Sequence, residues 1–147
     1  MSASSQTRPP VVEVAVGVLQ SADGNVLIAR RPADKPMGGA WEFPGGKVHA
    51  GEARLQGLVR ELVEELGVQI SYVRFLTRYS HDYPDRRVVL HVWKVLQWDG
   101  EPVGVENQAL EWCNPADAME RGLLAADRRI IELLAADMAV NRLAPLR

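Results

Sequence analysis

A single cysteine in 147 residues leaves no internal disulfide framework to build on. Cys113 stands alone, and unpaired thiols suit a reducing compartment. That predicts a cytoplasmic protein. Histidine is nearly as scarce: His49, His81 and His91 are scattered, so no Cys/His spacing points to zinc. Charge of one sign is also missing. With 17 basic and 19 acidic residues the net charge is −2, which offers no basic footprint for a nucleic-acid duplex. No apolar run approaches the ~20 residues that span a bilayer. MSASSQTRPP lacks the apolar core of a signal peptide. Neither a membrane partner nor an internal repeat or linker is expected. What remains, 47% hydrophobic and 24% charged, is ordinary for one globular domain. The expectation is a domain over residues 11–147 behind a disordered start at 1–10.

Against these absences one stretch is dense with specific residues. It runs from Gly46 to Val68, GKVHAGEARLQGLVRELVEELGV. Leu55, Val59, Leu62 and Leu66 recur at helical spacing and predict one narrow apolar stripe. Glu61, Glu64 and Glu65 fall in an arc away from it, and Gly67 supplies a left-handed stop. Carboxylates three and four residues apart weaken a helix. At ~4 Å and an effective dielectric of ~20 each repulsion approaches ~4 kcal/mol, so something cationic should offset it. Hard divalent cations take oxygen ligands, and magnesium also binds substrate phosphates. A plain alternative is a solvated acidic face with Arg60 paired to Glu64. Just upstream, Trp41-Glu42-Phe43-Pro44-Gly45-Gly46-Lys47 predicts a short strand breaking into a loop. Its glycines let backbone approach a ligand closely.

The rest of the chain predicts strands near Val11–Leu19, Val26–Arg30, Val73–Tyr79, Arg87–Trp98 and Ala109–Trp112. Helices are predicted over Ala53–Leu66 and Asp127–Ala139. Strands, helix, strands and helix in that order indicate an α/β protein with a mixed sheet between helices.

The pattern G-x5-E-x7-R-E-U-x-E-E-x-G-U, with U aliphatic, is filled at every fixed position by Gly46, Glu52, Arg60, Glu61, Leu62, Glu64, Glu65, Gly67 and Val68. At these residues the chain resembles the Nudix hydrolases. VAVGVL, LIARRPAD, WEFPGGK, the YPDR turn and DGEPVGVENQALEW extend the likeness to the MutT-like branch, over roughly Val11 to Leu134. The resemblance implies an alpha/beta/alpha sandwich and a metal-dependent pyrophosphohydrolase using Mg2+, with Mn2+ as a substitute. It implies a metal site of Glu61, Glu64, Glu65, the Gly45 carbonyl and Glu106. Glu61 is an alternative general base, Arg60 positions the glutamates, and Glu52 is an accessory at the helix start. Water would attack a β-phosphorus and release a nucleoside monophosphate and pyrophosphate.

Val12 and Val14 share one face of the first strand, as Val88 and Leu90 do on a later one. With Phe43 they form a candidate base slot, or simply core. Lys47, Arg30 and Arg86 are candidates for phosphate or sugar contact, Arg30 above the Pro-Asp-Arg turn because a guanidinium binds phosphate through two bonds. Asp127 departs from the asparagine of MutT-like enzymes. An amide both donates and accepts toward 8-oxoguanine, whereas an ionised carboxylate only accepts. Asp127 therefore reads as a protonated pocket residue, a sign of an amino-bearing base such as cytosine, or a helix cap. The leading substrate expectation is 8-oxo-dGTP, in nucleotide-pool sanitation and mutation avoidance. CTP, dCTP or ADP-ribose is the alternative, and a non-catalytic nucleotide-binding module is the alternative of another class. A monomer is expected, with a dimer left open.

Overall fold

The computed structural model describes residues 8–143, with side chains to residue 138. Residues 1–7 of the expected disordered start lie outside the described residues. The elements are β1 (Val11–Leu19), β2 (Val26–Arg30), β3 (Trp41–Glu42), β4 (Gly45–Lys47), α1 (Arg54–Leu66), β5 (Gln69–Tyr83), β6 (Arg86–Asp99), β7 (Leu110–Cys113), α2 (Pro115–Glu120) and α3 (Ala125–Leu143).

Among the described residues the strands form two sheets. One has the order β4-β1-β6-β5 and the other β3-β2-β7. β1 pairs parallel to β6, from Val11 opposite Arg87 to Leu19 opposite Val95, and every other pairing of named strands is antiparallel. Alternation along β1 explains the layering. Val16 and Val18 join a core cluster with Ile130, Ile131 and Leu134 of α3. Ala15 and Leu19, pointing the other way, join Leu58, Leu62 and Leu66 of α1. The central strands thus bury both faces, each beneath a helix, as the expected sandwich requires.

The stripe of α1 differs from its expected composition. Leu58, Leu62 and Leu66 are fully buried, while Leu55 is 41% exposed. Leu55 is the second residue of the helix, and the buried row starts only at Gly57 and Leu58. The Gln56 side chain accepts the Ala53 N–H at 3.0 Å, which satisfies one free donor at the helix start. Gly67 closes the helix in the left-handed region, at φ 69°.

Two further differences concern extent. β5 begins at Gln69 rather than Val73 and runs to Tyr83, because it stays paired with β6 through register shifts between Ile70 and Val73 and between Phe75 and Thr77. Those irregularities blur the two-residue alternation that marks a strand in sequence. The short helix α2 was not expected, although its signal is present: Asn114 accepts the Asp117 N–H at 2.9 Å, with Pro115 at the first helical position.

Candidate active site

α1 and β4 are pressed together at the glycine pair. Gly45 has φ 154°, and a Cβ there would run into the Ala15 carbonyl and the Val16 backbone. At Gly46 a Cβ would run into the Glu61 carboxylate. Only glycine lets β4 lie this close to both β1 and α1. The Gly45 N–H then donates to Glu65 Oε2 at 2.8 Å.

Arg60 organises the acidic face. Its guanidinium donates to Glu52 at 2.7 and 3.0 Å, to Glu61 at 3.0 Å, to Glu64 at 3.1 Å and to the Lys47 carbonyl at 2.8 Å. Glu52 is itself fixed by the His49 N–H at 2.9 Å. The hydrogen bond from Arg60 draws the Glu52 carboxyl down to about 2, and the same contact raises the Arg60 guanidinium further above its ordinary range. Glu64, though paired with Arg60 as a simple surface pair would be, is one of several partners rather than the whole arrangement.

Glu65 is the strained member electrostatically. Burial, reinforced by the charges of Glu42, Glu61 and Glu106 and opposed by the Gly45 N–H, raises its carboxyl to about 8. Glu106 is exposed on the loop after β6, which is tied to the end of α1. The Val105 N–H and the Gln108 amide both donate to the Glu65 carbonyl, at 3.1 and 2.9 Å, and Gln108 accepts the Glu106 N–H at 2.9 Å. Among the described residues no three acidic, histidine or cysteine side chains are closed to metal-ligand spacing. Arg60 and the Gly45 N–H hold the carboxylates instead. The donor chemistry still fits a hard divalent cation: the groups are oxygen donors, and a cation would offset the mutual repulsion that raises Glu65.

Beside this face lies a pocket of about 240 Å³. Val12, Val14, Val88 and Leu90 line it with Phe43, on the faces that the strand alternation predicts. Lys47 and Arg86 lie at its rim with Tyr83, where Arg86 stacks over the Tyr83 ring at 4.8 Å. Asp127 sits at its buried end with 5% exposure. The Asp127 carboxylate reaches out of α3 and accepts the Phe43 N–H through Oδ2 at 2.8 Å. Its partner is thus the N–H of the residue after β3 rather than an N–H of its own helix, unlike a helix cap. Burial raises Asp127 to about 7, against the Phe43 hydrogen bond.

Arg30 is placed apart from this pocket. It is exposed, donates to the Gly39 carbonyl at 3.1 Å, and lines a neighbouring cleft with Glu65 and Glu106. The next residue does more. Arg31 lines both the cleft and the pocket, held by Glu42 at 3.1 Å and by the Pro36 carbonyl at 2.9 Å. Sequence reasoning missed Arg31, Glu42 and Tyr83. Arg31 lies just past the end of β2, where strand alternation no longer indicates direction.

The family model described as NUDIX domain matches residues 15–133. A CTP pyrophosphohydrolase of Escherichia coli is 38% identical over 135 residues, 92% of this chain and 97% of that protein. An 8-oxo-dGTP diphosphatase of Escherichia coli is 40% identical over 101 residues, 69% of this chain and 78% of that protein. The solution structure of the E. coli ORF135 protein superposes with a TM-score of 0.75 at 37% identity, covering 95% of this chain and 96% of that one. The glutamate helix, the glycine loop beneath it and the agreement along nearly the whole chain have one reading: the chain belongs to the Nudix family and is a Nudix pyrophosphohydrolase.

Proposed function

We propose that this enzyme cleaves a nucleoside triphosphate to the monophosphate and pyrophosphate, and that Asp127 reads the base. The observation carrying this reading is a buried carboxylate at the end of an apolar slot, beside the acidic helix face. In the ionised state it only accepts, and so suits the N4 amino group of cytosine. CTP or dCTP is therefore the favoured substrate, in keeping with the CTP pyrophosphohydrolase that the chain matches over nearly its full length. A specific observation keeps 8-oxo-dGTP as the second reading. Asp127 is raised to about 7, so its protonated form is accessible near neutrality and can donate to O6 of 8-oxoguanine.

Glu61, Glu64, Glu65, Glu106 and the Gly45 carbonyl would hold magnesium, or manganese in its place. A bound divalent ion supplies charge neutralisation on the phosphates and an activated water. Water oxygen bonds to the β-phosphorus while the bond from that phosphorus to the α–β bridging oxygen breaks. Arg60 keeps Glu61 and Glu64 in position, and Glu61 is the candidate to take the water's proton. Arg31, Lys47 and Arg30 present cations toward the phosphates, and Phe43, Val14 and Val88 hold the base with Arg86 at the rim. A monomer acting on the cytoplasmic nucleotide pool is the simplest setting.

The test is kcat/KM with magnesium for CTP, dCTP, UTP, 8-oxo-dGTP, dGTP and ADP-ribose. CTP or dCTP should lead, and Asp127→Ala should remove the preference over UTP. If 8-oxo-dGTP leads instead, the second reading holds. Equal rates for all triphosphates would defeat both.

A further inference from the structure

Asp127 is aimed by the peptide that precedes it. The N–H of that peptide belongs to Asp127 and donates to the Leu124 carbonyl at 2.9 Å. Its C=O belongs to Ala126 and accepts the hydroxyl of Tyr79. Tyr79 and Tyr83 lie four residues apart on β5, hence on one face of the strand, and both pack against the α3 cluster. The peptide plane is thereby tied at both ends, and Asp127 follows it directly. Tyr83 touches the base pocket; Tyr79 does not line it.

We infer that Tyr79 is a positioning residue for base selection: its hydroxyl, through the Ala126 carbonyl, sets the direction in which Asp127 presents its carboxylate to the nucleobase. This rests on the reading of Asp127 as the base-contacting group. The physical case is geometric. A side chain follows the plane of its own peptide, so turning the 126–127 peptide swings the Asp127 carboxylate sideways. Hydrogen-bond strength falls steeply with angle, so a modest swing weakens contact to a base edge while leaving an apolar slot able to hold the ring. Burial adds to the constraint: the Tyr79 ring is half-buried, with the Arg129 guanidinium 5.8 Å from the ring centre. The hydroxyl therefore has little freedom to seek another acceptor.

Tyr79→Phe removes the hydroxyl and leaves the ring. It should be compared with Arg129→Ala, which removes the stacked cation without touching Ala126, and with Asp127→Ala. The readout is whichever substrate ratio Asp127→Ala collapses, CTP over UTP or 8-oxo-dGTP over dGTP. In Tyr79→Phe that ratio should fall about three- to tenfold, the range set by loss of one hydrogen bond. The fall should come through KM of the preferred base, with kcat at saturation and kcat/KM for the disfavoured base within about twofold of wild type. Arg129→Ala should leave the ratio unchanged. An intact ratio in Tyr79→Phe, or an equal fall in Arg129→Ala, overturns the inference while the role of Asp127 stands. If Asp127→Ala collapses neither ratio, the base reading fails and the inference with it.

Discussion

Asp127 is a carboxyl held out of water with one backbone N–H for company, and that has a measurable signature. Its folded value, about 7, lies above the ordinary 3.8. The native state therefore holds a proton that the unfolded chain has released between those values. Stability from this group is full below about pH 4 and is lost as pH rises toward 7. Asp127→Asn keeps an acceptor for the Phe43 N–H and removes the charge. It should raise Tm relative to wild type at pH 8 and leave it nearly unchanged at pH 4, as thermal melts at the two pH values will register. A Tm gain of equal size at both would mean that the buried charge is not the source. How far single residues were legible varied with the kind of information each needed. Glu61, Glu64 and Glu65 follow from helical spacing, because a helix fixes direction. Asp127 read equally well as cap or pocket residue, since only the tertiary approach of Phe43, far away in sequence, separates the two. Arg31 carries no such signal, because it lies just past the end of β2, where alternation gives no direction.

At the scale of the element, α1 is joined to its own leading loop through Glu52 and Arg60. The two side chains are 16% and 23% exposed, which is enough solvent to make the pair a minor contributor to stability. Its role is placement. Without the charge of Glu52, Arg60 is free to move fully onto Glu61 and Glu64 and tie up the carboxylates. Glu52→Gln should lower kcat by about tenfold to a hundredfold, the scale of small misplacements in an active site. Its Tm should stay within a few degrees of wild type. Steady-state kinetics beside a thermal melt checks both, and a lower Tm with unaltered kcat would falsify the placement role. The legible elements were those with unbroken periods: β1 and β2 have the expected limits, and α1 starts one residue later than expected. Where the period breaks, reading fails. The irregular pairing at the start of β5 hid four of its residues, and Leu55 entered the apolar stripe because an apolar side chain in the first turn looks the same whether or not a sheet lies beneath it.

For the whole molecule, the order of elements indicates a layered α/β protein with a mixed sheet, but the parallel pairing of the first strand with β6 is visible only in the structure. Local patterns carry no record of which distant strand is the neighbour. The assembled molecule then concentrates negative charge around Glu65, and the proposed metal site ties cation binding to pH. A metal-bound Glu65 must be deprotonated, so metal binding releases a proton below about pH 8 and strengthens as pH rises to that value. Added magnesium should therefore raise Tm more at pH 8.5 than at pH 6, and excess chelator should abolish both the shift and the hydrolysis of nucleotide. An equal magnesium shift at the two pH values would remove Glu65 from the ligand set. The parallel register of β1 on β6 reaches further still, into the life of the chain on the ribosome. The strand made first has its long partner at Arg86–Asp99 and one of its two covering helices at the end of the chain, so through much of synthesis one edge stays unpaired and one apolar face uncovered. Such distant pairing is slow to close and leaves strand edges available to other chains. Until the β5–β6 hairpin is made, the unpaired edge of β1 is the place where unfinished copies would first meet one another.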